Sequence, residues 1–212
     1  MVFVAGKRSF HRILLIMKTR WRKVLWGGVG GVLALWLVLF GTNSILDTKV
    51  GFDYDDTVCF STPSFESAAA LYGMESIRKG SEKYERFWKE VNADPSRDLP
   101  KPVTLGLVRC ARLLGIDPIL ITARPGIESE TFVRYWRGLF DEVYFTENKS
   151  EILERARFLA FFGDSDSDIA EAREVGVIGI RIQRNPASSY KRKYNPGKYG
   201  EWVMPFSAGP SG

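Results

Sequence analysis

From residue 49 to residue 182 the chain alternates short apolar runs of strand length with segments of helical spacing. The strand-like runs are 49–53, 118–122, 142–145, 158–163 and 179–182, rich in Ile, Leu, Val and Phe. Helical candidates fall near 102–114, 127–139, 149–157 and 166–175; in the first, Val103, Leu107, Cys110 and Leu114 recur at helical spacing. This rhythm predicts an α/β fold, a Rossmann-like parallel sheet sandwiched by helices. It also places any ligand site at the carboxyl ends of the strands. One segment breaks the rhythm. Residues 65–79 and 81–91 read as helices, followed by a polar, proline-rich link over 92–102. Such an insertion, about 65–100, after the first strand would sit as a small helical cap above the carboxyl edge.

Charge is distributed unevenly. Residues 1–23 hold Lys7, Arg8, Arg12, Lys18, Arg20, Arg22 and Lys23 and no acid. Residues 24–46 carry no ionisable side chain, and residues 24–40 are almost wholly apolar. The net charge of +5 therefore belongs to the leader, because the remainder has 23 basic and 25 acidic residues. A nucleic-acid partner, which needs a basic face on the folded domain, is not expected. The seventeen residues 24–40 are near the lower length limit for a transmembrane helix and 41–46 can extend them, so 24–46 is expected to form an anchor. The preceding positive bias would keep residues 1–23 on the cytoplasmic side and export the rest. A cleaved signal segment is the rival reading; the long leader and the lack of an A-x-A-like site after Phe40 speak against it. The expected organisation is thus a basic leader over 1–23, an anchor or signal segment over 24–46, a catalytic domain over 47–205 and a flexible tail over 206–212.

One His and two Cys exclude a zinc site of the usual ligand sets. Whether Cys59 and Cys110 pair is left open by the sequence. The acids are more informative. Gly51-Phe52-Asp53-Tyr54-Asp55-Asp56-Thr57-Val58 follows the first strand directly. A carboxylate at such a strand end can act as a nucleophile, and one two residues on can move a proton. Gly163-Asp164-Ser165-Asp166-Ser167-Asp168 closes the fourth strand and opens a helix. A cap needs one acid, so three at alternate positions suggest a hard cation. A calcium-binding EF-hand loop is excluded, since its sixth position would be Val58 or Ile169 and its twelfth Ser64 or Val175. Thr122 and Arg124 end the second strand, and Lys149 precedes a helix after the third, where an ammonium can neutralise phosphate charge.

Together these residues resemble the four motifs of the haloacid dehalogenase superfamily. Val50 to Val58, Phe60 to Pro63, Phe65, Phe161 to Ala170, Gly179 to Ile182 and Ser189-Tyr190-Lys191 are similar to the bacterial class B acid phosphatases. The resemblance implies a non-specific phosphomonoesterase working through an aspartyl-phosphate, with phosphotransfer to alcohols as a further outcome. It implies Asp53 as nucleophile and Asp55 as acid and base. Mg²⁺ would be held by the Asp53 carboxylate, the Asp55 backbone carbonyl and Asp164, with Asp168 in support. Thr122 and Lys149 would hold the phosphoryl oxygens and Arg124 would line the site. Phe65, Trp88 and Tyr190 would take the leaving group. Small phosphomonoesters such as nucleotides are the implied substrates, a homo-oligomer, a tetramer in the family, the implied assembly, and the periplasmic side of a bacterial inner membrane the expected location. The family usually has Gly where this chain has Ala123. A membrane-anchored binding or scaffold protein on the same fold is the alternative, and it predicts a lost nucleophile or proton shuttle.

Overall fold

The computed structural model describes residues 30–73, 78–190 and 192–209. The expected leader over 1–23 and the first part of the expected anchor, 24–29, lie outside the described residues, as do 74–77, Lys191 and 210–212. Residues 30–45 are helical (α1). Among the described residues, no helix is long and apolar enough to cross a membrane.

Six strands form one sheet: β1 (Lys49–Phe52), β4 (Asp117–Thr122), β5 (Glu142–Phe145), β6 (Phe158–Gly163), β7 (Ile178–Ile182) and β8 (Trp202–Met204). Their order is β5-β4-β1-β6-β7-β8, and every pairing is parallel. The chain moves outward from β1 through β4 to β5, then returns to β6 on the other side of β1. That reversal puts the crevice at β1 and its two neighbours, where ligands settle in open α/β sheets. A two-stranded antiparallel ribbon, β2 (Cys59–Phe60) with β3 (Leu99–Pro100), ties the base of the cap.

Alternation along the strands sorts side chains to the two faces. Leu120 and Phe162 pack with Val108 and Ala111 of α4 (Pro102–Leu113) and with Phe132 and Trp136 of α5 (Glu130–Trp136). Ile119, Ile121 and Phe161 pack with Ile152 and Leu153 of α6 (Ser150–Glu154) and Ala172 of α7 (Asp166–Glu174). Burial on both faces is why the strands read as continuous apolar runs. The cap is built from α2 (Thr62–Tyr72) and α3 (Glu82–Ala93), with a 3-10 turn at Pro95–Arg97. Phe65, Ala68, Phe87 and Val91 form its own small core. Helix α2 starts at Pro63 in the first turn and stops at Gly73, whose φ of 70° no ordinary helix residue adopts, so it is shorter and earlier than the periodicity predicts.

Two features depart from the expected organisation, in the C-terminal segment and at Ser207. The C-terminal segment contains β8, which extends the sheet beyond β7. Ser207, expected in a flexible tail, is buried: its hydroxyl donates to the Met204 carbonyl and accepts from the Gln183 amide. Cys59 is buried and Cys110 exposed, both as free thiols.

Candidate active site

Asp53 is the first residue past β1, and its amide still donates to the Phe162 carbonyl at 2.8 Å, continuing the ladder by one bond. The chain then turns tightly, with the amides of Thr57 and Val58 donating back to the Tyr54 carbonyl. Asp56 takes φ 57° in that turn, a conformation that Asp tolerates better than most residues. The turn keeps both Asp53 and Asp55 at the sheet edge, each about 3% exposed.

Asp164 follows β6 in the same way. Ser165 then caps α7 by accepting from the Asp168 amide, while the Asp168 carboxylate accepts from the Ser165 amide, a reciprocal capping box. This fixes Asp168 beside the strand end. One carboxylate oxygen from each of Asp53, Asp164 and Asp168 lies within 4.8 Å of the others. Lys149, preceding α6, reaches in and donates from Nζ to Asp53 Oδ1 and Asp168 Oδ1, both at 2.5 Å.

Gly163 makes room for this arrangement. A Cβ there would collide with Asp168, meeting its Cγ at 2.7 Å. Gly163→Ala is expected to displace Asp168 from Lys149, destabilising the domain by about 2 kcal/mol, the scale of overpacked sites. A thermal melt checks it: an unchanged midpoint would show that α7 yields without strain.

The electrostatics follow from burial. Desolvation, resisted by Lys149 and reinforced by Asp168 and Asp55, pushes the Asp53 carboxyl up to about 7. Asp164 is raised well above the carboxylate range by burial, then by Asp168 and Asp53. Burial also opposes the charge on Asp168, but Lys149 and Ser165 outweigh it and hold this carboxyl low. Burial would lower Lys149, yet Asp168 and Asp53 together raise it. Asp164 Oδ1 is buried with no hydrogen-bond partner among the described residues. A buried orphan oxygen facing two further carboxylates fits a hard cation with oxygen ligands.

Asp55 is turned to the other side. Arg124 donates to its Oδ1 from Nε at 2.9 Å and from Nη2 at 2.6 Å, and Nη2 reaches Asp98 Oδ2 at 3.0 Å. The Tyr54 hydroxyl donates to the same Asp98 oxygen, and the guanidinium carbon lies 4.4 Å from the Tyr54 ring centroid. Arg124 Nη1 is buried without a hydrogen-bond partner among the described residues. Thr122 ends β4 fully buried and accepts the Arg124 amide, leaving its own hydroxyl proton free to donate. The three aromatics come together at the cap. Phe65 stacks nearly parallel to Tyr190 at 6.2 Å and edge-on to Trp88 at 5.9 Å, and Arg124 sits 5.4 Å from the Phe65 ring.

Two participants escape sequence reasoning. Asp98, in the polar link, anchors Arg124 from the far side. Arg184 donates from Nε to Asp164 Oδ2 at 2.5 Å and from Nη1 to the Arg192 carbonyl, while lying 5.3 Å from the Tyr190 ring. It stands just past the end of β7, so the strand-end rule that singles out Asp53, Thr122 and Asp164 also covers it. The Tyr190 loop is fastened further by Ser188 donating to Asp56 and by the Ser189 amide donating to Thr62.

No family model matches the chain. Curated relatives do. A class B acid phosphatase of an Enterobacter species is 33% identical over 172 residues, 73% of this chain and 70% of that protein. The enzyme of the same name from Klebsiella pneumoniae is 33% identical over 76% of this chain and 75% of its own. The chain belongs to the class B acid phosphatase family. It is a phosphoric monoester hydrolase. Among solved structures, CbbY from Rhodobacter sphaeroides in complex with phosphate matches with a TM-score of 0.57 at 13% identity, covering 77% of this chain and 95% of that one. A haloacid dehalogenase-like hydrolase from Streptococcus pneumoniae matches with a TM-score of 0.54 at 13% identity, over 74% and 93%. These likenesses show the haloacid dehalogenase-like fold of the class B acid phosphatase, and nothing of its substrate.

Proposed function

We propose that this acid phosphatase cleaves small phosphomonoesters through a covalent phospho-Asp53. The Asp53 carboxylate forms a bond to phosphorus as the ester P–O bond breaks, and a protonated Asp55, its side chain swung from Arg124 towards Asp53, gives its proton to the leaving oxygen. Asp55 then takes a proton from the water that attacks the aspartyl-phosphate, and phosphate leaves. An alcohol in place of that water would make the enzyme a phosphotransferase. The buried Asp53–Lys149–Asp168 contact is the observation that carries this reading, because it holds a nucleophile and its counter-charge at one strand end.

Mg²⁺ is the proposed metal, held by the carboxylates of Asp53 and Asp164 and the Asp55 carbonyl. It would supply charge neutralisation for the phosphate and the developing transition state. Asp168 is proposed in a supporting role: its Oδ1 accepts from Lys149 and its Oδ2 from Ser165, so it positions them both. Thr122 and Lys149 donate to the phosphoryl oxygens, and the unpaired Arg124 Nη1 offers a third donor. Phe65, Trp88 and Tyr190 form the wall that receives an apolar or planar leaving group.

The same proposal places the domain, from about residue 47, outside a bacterial inner membrane, anchored by residues 24–46. The supporting observation is the charge-free run behind a leader of seven cations. Association with further copies is part of it; Ile178 and Trp202, exposed near the free edge of the sheet, offer apolar surface. The test is phosphate release by the full chain from p-nitrophenyl phosphate and nucleoside monophosphates. Turnover is expected with Mg²⁺ and is expected to vanish with a chelator and return with added Mg²⁺. Chelator-resistant turnover would overturn the metal assignment.

A further inference from the structure

The anchor helix does not simply lead into the domain; it is docked on it. Trp36 Nε1 donates to the Leu113 carbonyl at 2.7 Å, and Asn43 Nδ2 donates to the Leu114 carbonyl at 2.8 Å. These are carbonyls at the C-terminal end of α4, which α4 itself leaves unpaired. Between them Gly115, with φ 71°, lies so close that a Cβ would meet the Phe40 carbonyl at 2.6 Å. The corner between α4 and β4 thus lies alongside α1 from residue 36 to residue 43.

This has a geometric consequence if residues 24–46 enter a bilayer. The charge-free sequence ahead of the docked stretch, residues 24–36, spans only about 20 Å as a helix. The hydrocarbon layer is ~30 Å thick. The remaining ~10 Å falls to the docked stretch itself, which brings the corner against the outer boundary of the hydrocarbon layer. Its surface suits that place: Leu113 is 63% and Ile45 85% exposed, with Leu114 and Leu46 also exposed beside them. Arg109, exposed on the last turns of α4, can reach anionic headgroups, while Arg112 beside it pairs with Asp141 at 3.4 Å.

We infer that this corner, Leu113 and Leu114 with Ile45 and Leu46, is a lipid-contact surface that stands the domain on the membrane by the amino edge of its sheet. The inference rests on the anchored reading above. Chain entry at Lys49 and the nucleophile past Phe52 lie at opposite ends of β1, so the catalytic edge faces away from the lipid. A phosphomonoester then approaches from the aqueous side without crossing the headgroup layer, and esters embedded in the membrane are poor substrates.

Cys110 provides a probe, since it is exposed one turn before Leu113 and Cys59 is buried. The full chain, labelled at Cys110 with an environment-sensitive fluorophore, is reconstituted in phosphatidylethanolamine–phosphatidylglycerol vesicles carrying brominated acyl chains. A second sample carries the label at Lys79→Cys in a Cys110→Ser background. Lys79 pairs with Glu147 just beyond the carboxyl end of β5. The expected result is strong quenching at Cys110 and none at the Lys79 position. Vesicle-bound chain with no quenching at Cys110, or with quenching at the Lys79 position, overturns the docked orientation and leaves the anchor standing. Chain that does not float with the vesicles overturns the anchor, and the orientation with it.

Discussion

Asp53→Asn is expected to lower phosphate release at least about a thousandfold while leaving the fold intact. The amide keeps the size of the carboxylate but has no nucleophilic oxygen. Asp55 does not replace it, because Arg124 holds both its oxygens on the opposite side of the strand end. Asp168 does not replace it either, being shared between Lys149 and Ser165. Lys149 retains Asp168 as a partner, so no buried charge is orphaned. The pH dependence of stability gives a second reading of the same variant. Burial raises Asp53 to about 7, above its unfolded value. In metal-free protein its contribution to stability is therefore full at low pH and is lost as pH rises, between about pH 4 and pH 7. Metal-free melts of wild type should show this decline, and Asp53→Asn should show a shallower one, since buried Asp164 is raised as well. Turnover within tenfold of wild type would require another nucleophile.

Lys149→Met should damage both activity and folding. Among the described residues the ammonium is the sole partner of Asp53 Oδ1 and one of two for the Asp168 carboxylate, all three groups being buried. Removing one member of a buried charge cluster leaves the others uncompensated, a loss of about 3–5 kcal/mol. The sign with pH is definite. Without Lys149 both carboxyls rise above their unfolded values, so the variant should approach wild type in acid and fall furthest behind near neutrality. Denaturant unfolding at the two pH values checks this, and an equal loss at both would deny the electrostatic cause. Lys149→Arg should recover part of the stability and little of the rate, since a planar fork does not place one donor between two carboxylates.

The sheet and its catalytic edge were legible because physics writes them locally. Strands buried on both faces must be apolar throughout, and polar groups at their ends have nowhere to go but the edge. Strand β8 escaped because Trp202–Met204 is three residues long, set in a segment rich in Gly and Lys, and takes its strand character from pairing with Ile180–Ile182. Ser207 likewise owes its burial to Gln183, twenty-four residues earlier. Asp98 and Arg184 lie in polar segments whose local sequence says only "surface"; their partners, Arg124 and Asp164, are twenty or more residues away. The aromatic trio shows the reverse. Phe65, Trp88 and Tyr190 can each be read from sequence as core or pocket, and their convergence beside Arg124 gives them one address.

The capping box of α7 carries a lesson about what can change in such an enzyme. One oxygen of Asp168 starts a helix while the other steadies the lysine on the nucleophile, so a single residue answers to folding and to chemistry at once. Drift at that position is penalised twice. The helices of the cap, by contrast, have their own core and meet the site through an aromatic wall. Laboratory selection for new leaving groups should therefore accumulate its substitutions in α2 and α3, with the Ser165–Asp168 pair unchanged throughout.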